Sequence, residues 1–330
     1  MRNRLSASLI TLLGALLLAS CTIPDALRES AAECADPGAS IVYVIEGDGH
    51  MTYHDASGSE HDAAQEKTDE AVALAERLHD GEVYIIRSGA RPFFLLPEGS
   101  GDLLHYCRGR LTGRGSFTRD STESDFEIAA QMTAGTARRP GTRRVLVYYG
   151  HMLDGGEVPA EGMAEVNQHA TVSGLAHALA SMTHRGALVD TLDLVVLSAC
   201  QSATPAILHA VEPFTRCLIA SPADLHLSHI DTDALSLLDA NPGIPVLALA
   251  DSVASLAFRR LITRTRTEIT IARYNQDALH LAQDLQAGTV SSSLLNGVHL
   301  WLRPSEFGRK SSTRESSLPE PSAGRNRTHS

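Results

Sequence analysis

Two side chains in this sequence have the types and the spacing for nucleophilic catalysis. His151 follows the apolar run Arg144–Tyr149 (RVLVYY) after one glycine, and Cys200 follows Leu192–Ser198 (LDLVVLS) after one alanine. The cysteine comes about fifty residues after the histidine. Cysteine attacks as the thiolate, a form favoured by a neighbouring imidazolium or by the first turn of a helix. Thr204–Val211 reads as a short helix opening just past Cys200, so its dipole is expected to lower the thiol pKa. An imidazole titrating near neutrality can then protonate a departing amine. Backbone amides at a strand-to-helix turn can hold the oxyanion. Together these are the parts of acyl transfer through a thioester.

Such a pair works only if two strand ends lie side by side. Five short β-branched and apolar runs read as strands: Ser40–Glu46, Glu82–Arg87, Arg144–Tyr149, Leu192–Ser198 and Arg216–Ala220, with Ile244–Leu249 as a sixth. Helical spacing marks Thr68–His79, Ser121–Thr136, Thr171–His184, Thr204–Val211, Thr232–Asp239 and Ser252–Arg264. The alternation predicts an α/β fold, a three-layer sandwich with a mostly parallel six-stranded sheet between helices. Ligands of such sheets gather beyond the carboxyl ends of the strands, where His151 and Cys200 both fall. Residues 89–120 are rich in Gly, Pro and Arg and read as an insertion, with a short hairpin around PFFLLPEG.

The ends of the chain read differently. Met1–Ser20 joins Arg2 and Arg4 to the apolar stretch SLITLLGALLLAS, too short to span a bilayer and typical of an export signal. Leu18-Ala19-Ser20-Cys21 resembles a bacterial lipobox, which implies cleavage before Cys21 and lipidation of its thiol. Thr22, in place of the aspartate that retains lipoproteins at the inner membrane, points to the outer membrane of the bacterial cell envelope. The expected organisation is a signal peptide over 1–20, a tether over 21–39 and one domain over 40–303. A disordered tail follows over 304–330, where Ser, Pro, Arg and Glu dominate. A formal charge of −11 argues against a nucleic-acid partner. In an oxidising compartment Cys34 and Cys107 are candidates for a disulfide, and Cys217, within TRCLIAS, reads as a small buried hydrophobe. Cys200 is left over, the signature of a reactive thiol.

The order of histidine strand and cysteine strand resembles the caspase-fold cysteine peptidases, and among them the clostripain-like peptidases. Gly150-His151-Met152 is similar to their His-Gly strand end, and Ser198-Ala199-Cys200 to their Asp-Ala-Cys. Cys217–Ser221 resembles their next core strand, and Pro222–Ser228 stands in the place of a substrate-pocket loop. The resemblance covers roughly Arg144–Leu261. It implies a caspase-like fold, a His151/Cys200 dyad, oxyanion donors in the backbone amides of Met152 and Cys200, and a peptide or protein substrate. It implies no cofactor, and leaves a requirement for calcium open. Two positions depart from the pattern. Met152 replaces the glycine after the histidine, losing its conformational freedom. Ser198 replaces the aspartate that selects Arg or Lys at the base of the P1 pocket, which leaves Asp224 or Asp231 as substitute carboxylates. Both departures favour the alternative of a catalytically inactive caspase-like lipoprotein that serves as a binding scaffold.

Other polar clusters carry less. Asp48, His50 and His54 (GDGHMTYHD) offer metal-ligand types but no closed set with a recognisable spacing, so a solvated loop is the expectation. His226 and His229, either side of Ser228, and the acidic Glu157, Glu161 and Glu165 are expected to face solvent. The chain beyond the signal has no Gly-x-Ser-x-Gly elbow and no P-loop, against serine hydrolases and nucleotide hydrolases.

Overall fold

Continuous apolar runs with no polar alternation need cover on both faces, and the architecture supplies it. A computed structural model describes residues 34–47, 51–55, 57–89, 99–119, 124–134, 141–155, 170–185, 188–286 and 297–306. The central strands are β1 (Ala39–Ile45), β4 (Gly81–Ser88), β7 (Arg143–Tyr149), β10 (Leu194–Ser198) and β11 (Cys217–Ala220). They lie parallel in the order β11-β10-β7-β1-β4. Two small hairpins, β2–β3 (Thr52–His54, Glu60–Asp62) and β8–β9 (His184–Arg185, Leu188–Val189), lie outside this sheet.

Successive residues of each central strand point to opposite faces. Val44, Leu146, Tyr148, Val195 and Leu197 face one core, covered by α2 (Ser124–Ala134), α3 (Val172–Thr183) and α4 (Pro205–Val211). Ile45, Val147, Tyr149, Val196 and Ile219 face the other, covered by α1 (Ala63–Arg77) and α6 (Val246–Arg264). The short α5 (Leu237–Ala240) lies between them in the chain, and α7 (Gln276–Gln286) adds Ala278 and Leu279 to the first core. This is a three-layer α/β sandwich, as the sequence predicts.

Among the described residues the main sheet has nine strands, where the sequence predicts six. Its edges are antiparallel: β5 (Gly99–Cys107) and β6 (Arg110–Arg119) follow β4, while β12 (Ile269–Asn275) and β13 (Val298–Arg303) follow β11. Residues 99–119, expected within an insertion, therefore extend the main sheet. The hairpin turn lies at Arg108-Gly109, both in the left-handed region (φ 51° and 78°) and suited to a two-residue hairpin. Residues 92–98, within the hairpin read at PFFLLPEG, lie outside the described residues. The outermost strands β6 and β13 escape a search for apolar runs because exposed residues recur along them.

The sixth expected strand does not exist: from Val246, IPVLALA is the opening of α6. A short apolar run reads equally well in either state. Pro245 decides it, at the N-cap of a helix that buries Leu249, Ala250, Val253, Ala254, Ala257 and Leu261 at helical spacing. Helix α1 begins before the expected Thr68, because Asp62 caps it by accepting from the Gln65 amide at 2.9 Å. The cysteines divide as follows: Cys34 and Cys107 are joined in a disulfide with Cα atoms 5.8 Å apart, and Cys217 is a fully buried free thiol.

Candidate active site

The chain leaves β1 for β4 on one side and returns to β7 on the other, so the carboxyl ends of β1 and β7 flank a topological switch point. The register aligns Tyr149 of β7 with Ser198 of β10, and the Gly150 amide still reaches the Ser198 carbonyl at 3.4 Å. His151 and Cys200, each two residues further on, therefore leave neighbouring strands at the same edge. Cys200 falls on the face of Tyr149. Cys200 packs against the core under α1 and α6. His151 acts electrostatically on His229, whose ring lies 3.8 Å from that of Tyr149. Both dyad candidates are half-buried.

The turns that present them are locally determined. A Cβ on Gly150 would lie 2.5 Å from Glu46 Oε2 and 2.6 Å from Tyr148 Oη, so glycine is required where the chain passes the buried Glu46–Tyr148 hydrogen bond. Beyond Cys200, Gln201 takes a left-handed conformation (φ 48°). Its amide bonds to the Ala223 carbonyl at 3.0 Å, while Ser202 Oγ accepts from the Ser221 amide. The turn after Cys200 is thus bound to the loop that follows β11.

That loop, residues 221–232, forms the second wall. The Leu225 amide donates to Cys200 Sγ at 3.3 Å, and the thiol donates back to the Leu225 carbonyl at 3.4 Å. Next to this contact lies a cavity of about 620 Å³, lined by Gln201, Asp224, Leu225, His226, Leu227 and Glu268 among others. Asp224 is exposed and accepts from the Gln201 side chain at 3.0 Å. Asp231 is committed elsewhere, with Arg260 at 2.5 Å and the Asp233 amide at 2.8 Å. Met152 is 47% exposed.

The expected depression of the Cys200 pKa is overturned. Partial burial, the largest influence, pushes the thiol up, and nearby Asp224 adds to it. Helix α4 starts five positions later and is only seven residues long, and its Ile207 amide is already turned to the Thr204 hydroxyl.

The sequence predicts a pocket contact at Ser198 and a solvent-facing residue at His229. Both are buried. The Ser198 hydroxyl accepts from the Ile230 amide at 2.8 Å, and His229 Nδ1 donates to the Ser198 carbonyl at 2.8 Å. Burial holds the His229 imidazole neutral, with its pKa lowered to about 3. His229 has φ 58°, and its Nε2 is buried with no partner among the described residues. Nothing in the sequence marks it, because the left-handed conformation is imposed by the bonds to β10. His54 is exposed, while Asp48, His50, Glu157, Glu161, Glu165 and Cys21 lie outside the described residues.

No protein-family model matches the chain, and no curated protein matches it. Solved structures do. A secreted C11 cysteine protease from Bacteroides thetaiotaomicron, iotapain, matches with a TM-score of 0.52 at 13% identity, over 79% of this chain and 74% of that one. A secreted C11 cysteine protease from the same organism, in complex with an irreversible peptide inhibitor, matches with a TM-score of 0.49 at 12% identity, over 73% of this chain and 66% of that one. An inactive zymogen C11 protease from Parabacteroides distasonis matches with a TM-score of 0.49 at 13% identity, over 78% and 65%. This chain thus spans just under two thirds of the length of two of these three proteins. At such identities the likeness is one of fold: the clostripain-like, caspase-like sandwich.

Proposed function

We propose that this protein is a clostripain-like cysteine endopeptidase using His151 and Cys200. The Cys200 thiolate attacks the scissile carbonyl and forms a thioester, His151 protonates the leaving amine, and water releases the acid. The backbone amides of Met152 and Cys200 are the oxyanion donors in this reading. One observation carries it: an imidazole and a half-buried thiol leave adjacent, in-register parallel strands at the same edge of the sheet, the thiol turn lying beside a cavity.

The cavity supports a peptide substrate. Its formal charge comes from Asp224 and Glu268, with no Lys or Arg among the lining residues, so a positively charged side chain is the expected fit beside Cys200. Lipidation at Cys21 would anchor the domain at the cell envelope, in the outer membrane. No helix among the described residues is long and apolar enough to cross a membrane.

Cys200→Ala should abolish peptide hydrolysis and leave the circular dichroism spectrum unchanged. Hydrolysis at the wild-type rate by that variant would end the proposal. The neutral thiol, tied to Leu225 in both directions, favours a second reading, a catalytically silent scaffold of the same fold. A peptide library turned over by the wild type and not by Cys200→Ala separates the two.

A further inference from the structure

The opposite end of the sheet holds a second group of reactive side chains. Cys34 precedes β1, Glu82 begins β4, and His105 and Cys107 end β5. The donor atoms of Cys34, Glu82 and His105 lie within 4.8 Å of one another, and all three residues are buried. Cys107 is bonded to Cys34 and so brings a fourth donor to the same place. The β4–β5 register pairs Glu82 with Cys107 and Tyr84 with His105, which sets all four side chains on one face of the ladder.

The two non-sulfur donors are already oriented. His105 Nδ1 is 3.1 Å from the Thr112 hydroxyl, and Nε2 faces Glu82 Oε2 at 3.8 Å. The Tyr84 hydroxyl donates to Glu82 Oε2 at 2.9 Å, and its ring stacks on His105 with centroids 4.5 Å apart. Outer hydrogen bonds that fix one ring nitrogen and one carboxylate oxygen are what metal-ligating His and Glu ordinarily have. While the disulfide stands, its sulfurs carry no charge and the site has only two ionisable donors.

We propose that reduction of the Cys34–Cys107 disulfide creates a tetrahedral zinc(II) site of two thiolates, His105 Nε2 and the Glu82 carboxylate. The reductant is a dithiol. Its thiolate attacks the more accessible sulfur, that of half-buried Cys107, and Cys34 departs as thiolate. The second thiol of the reductant then closes its own disulfide and releases Cys107, so two electrons and two protons pass to the protein. Zinc displaces the two thiol protons, and the ligands draw in from their present spacing to bonds of about 2.0–2.3 Å. The ion would tie the segment before β1 to β5, the same tie the disulfide makes. The site lies at the far end of the sheet from His151 and Cys200, so its metal takes no part in peptide hydrolysis and the proposal stands or falls independently of that reading.

The test uses the full chain, reduced without oxygen by a phosphine and desalted, and cobalt(II) as the probe. The reduced protein should take up one cobalt with tetrahedral bands and thiolate charge transfer, and the oxidised protein none. His105→Gln and Glu82→Gln should weaken uptake by about tenfold or more. Replacing Cys21, Cys200 and Cys217 with alanine should leave the spectrum intact. Cys34→Ser/Cys107→Ser should lose the thiolate bands, and zinc should raise the melting temperature of the reduced wild type but not of this double variant. Absence of tetrahedral cobalt in the reduced wild type, or its survival in the double variant, would overturn the proposal.

Discussion

Cys200 and His229 show how one sheet edge moves two titrations in opposite directions, the thiol upward and the imidazole downward. Cys200 is partly desolvated and lies near Asp224, and these outweigh the opposing hydrogen bond from the Leu225 backbone, so its folded pKa lies above the ordinary thiol value. The thiolate fraction then grows only as pH rises through that raised value. Alkylation of Cys200 by iodoacetamide at pH 6 should be slower than that of free cysteine and should climb throughout the alkaline range. Faster reaction than free cysteine at pH 6 would show that His151 overrides the desolvation. His229 is neutral in the fold, with a pKa of about 3. Its unfolded value is near 6.5, so below that pH the unfolded chain binds a proton the native chain refuses. The stability this imidazole allows is complete above roughly pH 6.5 and is lost at up to about 1.4 kcal/mol per pH unit as pH falls toward 3. His229→Gln should flatten the acid limb of the stability curve measured by urea denaturation, and an unchanged limb would count against a buried neutral imidazole.

The loop after β11 is positioned by ion pairs at its far end. Lys67 of α1 is 2% exposed, and its Nζ bonds to Glu70 Oε1 at 2.8 Å and to the Ile230 carbonyl at 2.5 Å. Glu70 also accepts from the Thr232 amide and from Arg260 of α6, which in turn holds Asp231. Two cations and two carboxylates thus clamp residues 230–232 between the two helices of one layer. Removing one member leaves the others desolvated and unbalanced. Lys67→Met should cost about 3 kcal/mol in urea denaturation and raise KM for peptides more than it lowers kcat, because the cavity wall beside Cys200 is loosened. An effect below about 0.5 kcal/mol would mean that the clamp is not needed. These partners are separated by as many as 190 positions in the chain, and a sequence pattern carries no mark of them. The strands beside them were legible, since β1, β7 and β10 are unbroken apolar runs.

At the scale of the molecule, the nine-stranded sheet is closed off by antiparallel pairs at both edges, and one covalent tie binds the segment before β1 to β5. The Cys34–Cys107 bridge encloses 73 positions of sequence separation, long enough for a sizeable effect on the unfolded chain. In the absence of metal, Cys34→Ser/Cys107→Ser should lower unfolding free energy by about 2–5 kcal/mol, read by denaturant titration. Peptide hydrolysis under folding conditions should be unchanged, since the bridge lies at the end of the sheet opposite the dyad candidates.

The sequence by itself determined the parallel core, the chain order of imidazole and thiol, and their position just past two strand ends. Those features are written in local composition, because a strand buried on both faces must be apolar along its whole length. Tertiary structure alone decided the protonation of Cys200, the burial of Ser198 and His229, the commitment of Asp231 to Arg260, and the edge strands. Each of these depends on which distant groups exclude water from a side chain or satisfy its polar atoms, and that is fixed only when the loop after β11 closes over the ends of β7 and β10.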